Sequence, residues 1–194
     1  MTTEQKPKSF DLAEEMVEAL AHEFDPAGSV TEAIGKAAGK SGDDADNAIR
    51  AYFADHGHRL MERTAKLSDQ FPDQTEATMH VDMDVNASDG WPFLAQRLME
   101  IAFLGSQPIY TLPIVENSSF RFTWKLAMCE TYVQMQEQID DETADRLLCQ
   151  DACVNATTDA FAEYGFDIDV EVQGTMPEDD FCQFSAPRVP RNVV

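Results

Sequence analysis

SSFRFTWKL, residues Ser118 to Leu126, sets Phe120, Phe122, Trp124 and Leu126 against Arg121, Thr123 and Lys125 with a period of two. That alternation predicts a strand with one buried face. Further along, Phe166, Ile168, Val170 and Val172 alternate with Asp167, Asp169, Glu171 and Gln173 up to Gly174. A third strand is expected there. The residues MPEDD then read as a turn, and Phe181 to Ala186 as a short returning strand that places Cys182 and Phe184 on one face. Between these strands the spacing predicts a helix from about Ala127 to Gln138. A break at Ile139 to Glu142 leads into a long helix, Thr143 to Tyr164, capped by Asp140 or Asp141 and ended by Gly165.

Upstream the pattern is mostly helical. Leu12, Met16, Val17, Leu20, Ala21 and Phe24 recur at helical spacing, with Asp11 and Glu14 as a capping pair. Asp25, Pro26 and Gly28 interrupt it, a short helix Val30 to Ala38 is expected, and Gly39 to Gly42 makes a joint. From Asp43 a further helix carries Ala45, Ala48, Ile49, Tyr52, Phe53, His56 and Leu60 along one stripe, with Pro72 as its latest end. Gly57 inside it costs ~1 kcal/mol relative to alanine. His56 and His58 lie about 200° apart on such a helix, which disfavours a shared metal, so both read as surface or core histidines. Ala77 to Asn86 alternates as another strand, with His80, Asp82 and Asp84 on what reads as a wet face. A helix from Pro92 through Phe93, Leu98 and Phe103 stops at Gly105. Gln107 to Asn117 is an extended apolar connection expected to lie against the sheet or a partner subunit, with Tyr110 at the border of a pocket.

The fold class is therefore α+β: an antiparallel sheet of about four strands packed with helices, preceded by an N-terminal helical segment. The segments are 1–75 (helical), 76–187 (the α+β core) and 188–194 (a loose tail). Acidic residues number 36 against 14 basic, a formal net charge of -22. Such a surface repels phosphate backbones and anionic lipid, so neither nucleic acid nor a membrane is the expected partner. A polar N-terminus and the lack of any run near ~20 apolar residues lead us to expect a cytoplasmic protein. A small-molecule substrate and a homo-oligomer are the partners expected.

All four cysteines and one of the two tryptophans fall between Phe120 and Phe184. Cys149 and Cys153, spaced i, i+4, share a helix face, while Asp151 lies about 160° from the midpoint between them. The C-x-x-C spacing of zinc sites does not occur, and no metal or cofactor is expected. Glycine-rich phosphate loops, G-x-S-x-G and H-E-x-x-H are likewise missing. Core packing accounts for Cys153, while buried core thiol and reactive thiol remain alternatives for Cys149, Cys129 and Cys182.

In this stretch the sequence resembles the L-2-amino-thiazoline-4-carboxylic acid hydrolase family. The matching features are Phe122 and Trp124 on a strand, Cys129 soon after, Cys149-Gln150-Asp151 on a helix, Gly174, and Cys182-Gln183-Phe184. They cover about the C-terminal third, with a Cys-to-Asp spacing one residue shorter than the family's and an insert at Thr175 to Asp180. The resemblance implies hydrolysis of a C–N bond in a small cyclic amidine or amide, as in opening a thiazoline ring to a carbamoyl-cysteine. On that reading Cys149 is the nucleophile and Asp151 orients or deprotonates. Cys129 and Cys182 are wall or second thiol, and Trp124, Phe122, Phe184 and Tyr110 shape the pocket. Arg121 or Lys125 would hold a carboxylate only if the polar strand face turned toward it, which conflicts with placing Trp124 in the same pocket. The alternative is a small-molecule-sensing domain, similar to the vinyl-reductase type, which also ends in Gly then Cys-x-Phe.

Overall fold

The computed structural model describes residues 14–70, 93–109, 112–118, 120–147, 150–163 and 168–187. Helix α3 (Asp43–Gln70) has 28 residues and is about 42 Å long. Asp43, Asp44 and Asp46 in its first turn complement the helix dipole. Before it come α1 (Glu14–Glu23) and α2 (Pro26–Ala37), the latter started by Asp25, whose carboxylate accepts the Gly28 N–H at 2.8 Å. After it come α4 (Phe93–Ser106), β1 (Ile114–Asn117), β2 (Arg121–Leu126), α5 (Glu130–Gln138) and α6 (Asp141–Leu147). A π-helical turn (Gln150–Asn155), α7 (Ala156–Glu163), β3 (Glu171–Gly174), the one-turn α8 (Met176–Asp179) and β4 (Cys182–Pro187) complete the order.

The four strands form an antiparallel sheet in the order β1-β2-β4-β3. Leu126 faces Cys182, Trp124 faces Phe184 and Phe122 faces Ala186, so these six side chains share one sheet face. All six are buried, and Phe103 of α4 closes over them with its ring 6.1 Å from Phe184 and 6.3 Å from Trp124. Each large side chain so buried contributes roughly 1.5–3 kcal/mol. On the other face Thr123 donates to Ser185 at 3.2 Å, and the Lys125 ammonium lies 3.4 Å from the centre of the Phe181 ring. Phe181 in turn rests on Gly174, where a Cβ would come within 2.5 Å of the ring.

The main core joins the sheet to α1, the second half of α3, α4 and α7. A second core gathers Val30, Ala33, Ile49, Phe53, Met135 and Leu147 from α2, α3, α5 and α6. Helix α3 belongs to both. Ion pairs tie its flanks to its neighbours: Arg63 grips Glu23 of α1 with two nitrogens (2.8 and 2.7 Å), and Arg146 of α6 reaches Asp46 at 2.8 Å.

Several sequence expectations change. The helix expected from Thr143 to Tyr164 is helical at each of its described residues, but its interior takes π geometry over Gln150–Asn155 between α6 and α7. The connection Gln107 to Asn117 contains β1, so one of the four strands lies in a segment read as an extended connection. Helix α5 begins at Glu130 rather than Ala127, because Cys129 has the extended backbone (φ -116°, ψ 106°) of a residue that starts a helix. The residues after Thr175 form a helical turn and not a bare reversal. The expected strand Ala77 to Asn86 lies outside the described residues, as does the tail.

The π-helical stretch packs against α3 at Gly57. A Cβ at this position would lie 2.1 Å from the Ala152 carbonyl oxygen and 3.0 Å from the Ala156 Cβ. The π turn thus presses its backbone onto α3 at the one residue that has no side chain, a spacing suited to a Cα–H···O contact. Gly57→Ala should therefore destabilise the protein by roughly 3 kcal/mol through overpacking, although alanine is the better helix former. Gly35 of α2 has open space around its Cβ position, and Gly35→Ala should stabilise by about 0.5–1 kcal/mol. Urea denaturation of both variants checks the opposite signs.

Candidate functional site

A cleft of about 50 Å³, room for a few waters or a small ring, opens between α3, the end of α4, the start of α5, the π turn and the sheet. Cys129, Cys153 and Cys182 all line it, arriving from the start of α5, the π turn and β4. None of the three is in a disulfide. Phe53, Leu60, Met61, Phe103, Leu126 and Phe184 supply the apolar wall, while His56, Ser106, Gln107 and Thr131 supply the polar atoms.

Each polar group is positioned by the local fold. Gln107 follows the last turn of α4, and its side-chain carbonyl accepts the Glu130 N–H at 2.8 Å. Its amide nitrogen donates to Thr131 Oγ1 at 3.3 Å. One glutamine thus satisfies the first orphan donor of α5, a service that Cys129 makes no side-chain hydrogen bond to perform. His56 stands one residue before Gly57 on the inner stripe of α3 and is 9% exposed. Its ring meets Phe24 edge-on at 5.3 Å and stacks on Tyr52 at 5.8 Å, inside a box of aromatic side chains. Burial in that box pushes the His56 pKa down to about 4, with the Arg59 guanidinium adding to the shift and Glu32 and Asp55 opposing it. The ring is neutral at pH 7. His58 points elsewhere: it is exposed and 3.4 Å from Asp159 of α7.

Among the residues expected from sequence, Cys129, Cys182 and Phe184 meet at the cleft. Trp124 and Phe122 lie behind it in the core, with Trp124 5.7 Å from Phe184 and 5.2 Å from Phe122. The Trp124 Nε1–H is buried with no partner among the described residues. Arg121 does not reach the cleft, since it alternates with Phe122 and Trp124 and so shares the opposite sheet face with Lys125. Cys149 and Tyr110 lie outside the described residues, and Asp151 is described only through its backbone in the π turn. Sequence reasoning missed His56, Cys153, Gln107 and Thr131 as site residues, having read Cys153 as core. For His56 a signal existed, a titratable ring on an otherwise apolar stripe beside a helical glycine; for Gln107 and Thr131 none did, because the capping contact spans 23 residues.

Among the described residues no group of three or more His, Cys, Asp or Glu side chains is arranged to hold a metal ion, and no helix is long and apolar enough to cross a membrane. No protein-family model matches the sequence, no curated protein matches it, and no solved structure matches its fold.

The depressed His56 pKa makes stability depend on pH. Between about 6.5 and about 4 the unfolded chain binds a proton at this residue that the folded chain refuses, so acidification favours unfolding. The His56 contribution is intact above pH 6.5 and falls by up to roughly 3 kcal/mol as the pH drops to 4. Denaturation midpoints measured across that range, with His56→Phe as the comparison, should show the slope in the native protein and its reduction in the variant.

Proposed function

We propose that the cleft is the active site of a hydrolase that opens a C–N bond of a small cyclic amidine or amide, of the thiazoline-carboxylate kind, using a thiol. The observation that supports this reading is the convergence of Cys129, Cys153 and Cys182, from three separate segments, on one small cavity. Cys149 stands just before the π turn that contributes Ala152 and Cys153 to the wall, and it remains the proposed nucleophile, with Asp151 to orient or deprotonate it. Its thiolate would add to the amidine carbon, forming a C–S bond as the ring C–N bond breaks and the departing nitrogen takes a proton. Water then cleaves the adduct and restores the thiol. Cys129 and Cys182 act as walls or as a second thiol.

A second reading is a sensing module that binds a small ring and leaves it unchanged. The predominance of Phe53, Leu60, Met61, Phe103, Leu126 and Phe184 in the wall favours it, since such a surface holds a ring by burial alone. Chromatography of reactions with L-2-amino-thiazoline-4-carboxylate separates the two. In the hydrolase, wild-type protein forms ring-opened product and Cys149→Ala loses at least ~100-fold in kcat while still binding the substrate. In the sensor, wild-type protein binds the compound and forms no product.

A further inference from the structure

The first turn of α5 presents more than a thiol to the cleft. Its Glu130 N–H is taken by Gln107, but the Thr131 N–H has no hydrogen-bond partner among the described residues. Cys129 and Thr131 both line the cavity, so the positive end of this nine-residue helix opens into it. Independently, His56 lines the same cavity with over nine-tenths of its surface buried. Its ring makes aromatic contacts to Phe24, Tyr52 and Phe53, and neither ring nitrogen makes a hydrogen bond among the described residues. A neutral imidazole carries at least one N–H donor, and the His56 ring nitrogens are not among the fully buried unpartnered atoms, so that donor remains open to a small partner. Two residues that each carry an unmatched donor therefore line one small space, whereas Arg121 and Lys125 lie on the far face of the sheet.

We propose that the Thr131 N–H and the His56 ring form an anion-binding subsite in the cleft that takes the carboxylate of a small organic acid. The assignment rests on the cleft being a small-molecule site, and it identifies the donor pair that replaces a lysine or arginine clamp. Helix N-termini bind anions through main-chain N–H groups and the dipole together. Neutral donors also suit a chain of net charge -22, because the site is buried and short-ranged, and the surface repulsion that opposes an incoming anion is screened by salt. Raising ionic strength should accordingly tighten, not weaken, binding of the acid.

Two-dimensional NMR of the full-length protein, labelled with nitrogen-15, tests the subsite without requiring turnover. The probes are L-thiazolidine-4-carboxylate and its neutral carboxamide. The acid should move the Thr131 amide and the His56 ring resonances and bind at least ~10-fold more tightly than the amide. His56→Phe, which keeps an aromatic ring in the box, should bring the affinity for the acid toward that for the amide. Equal binding of the two probes, shifts centred on Arg121 and Lys125, or no binding of the acid would overturn the assignment. If the acid binds at Thr131 and His56 while no ring is ever opened, the subsite stands and the hydrolase reading fails.

Discussion

The contact of Gly57 with the Ala152 carbonyl is the constraint on which the rest of the structure depends. Helix α3 runs through both cores, and it approaches the π turn closely only because position 57 has no side chain. Interiors pack at crystal-like density, so even one methyl group at such a crossing forces backbone to move. The cost of glycine in a helix is thus offset by the fit it permits. A widened turn is the corresponding adjustment on the other partner, and turns of this kind recur where helices carry function.

The cleft follows from that crossing. With α3 held against the π turn, His56 on one side of Gly57 and Cys153 beside Ala152 are brought to the same space. The sheet provides the floor through the pairing of Leu126 with Cys182 and Trp124 with Phe184, which fixes which side chains point toward the helices. Gln107 then ties the end of α4 to the start of α5, so that Cys129 and Thr131 complete the rim. The contributors lie within helices or strands or directly at their ends. The polar atoms are few and the surrounding wall is apolar, a combination in which a single well-placed donor has a large effect on what binds.

Much of this architecture was legible in the residues. Period-two alternation in Phe120 to Leu126 and in Phe181 to Ala186 identified β2 and β4 and their shared face, and helical periodicity identified α3 with its inner stripe. The mixed class, helices followed by a four-stranded antiparallel sheet, follows from those patterns. The π geometry inside the Thr143 to Tyr164 helix was not legible, since its apolar spacing is that of an α-helix throughout and the widened stretch coincides with a tertiary contact at Gly57. Strand β1 was obscured by Pro113 and by its short, mostly exposed course at the sheet edge, where pattern carries little information. In the site, Cys129, Cys182 and Phe184 could be proposed through the motif resemblance, whereas the condition set for Arg121, a polar strand face turned toward the pocket, could be judged only once the sheet's orientation was known. His56 looked like core, and it is both core and wall.

Nuclear Overhauser measurements on the native protein address the crossing itself. A cross-peak between the Gly57 Hα protons and the Ala156 methyl group is the predicted result, because that methyl lies where a residue-57 side chain would have to pass. If the Gly57 Hα protons show contacts only within their own helix, α3 does not dock on the π turn, and the cleft built upon that docking does not exist.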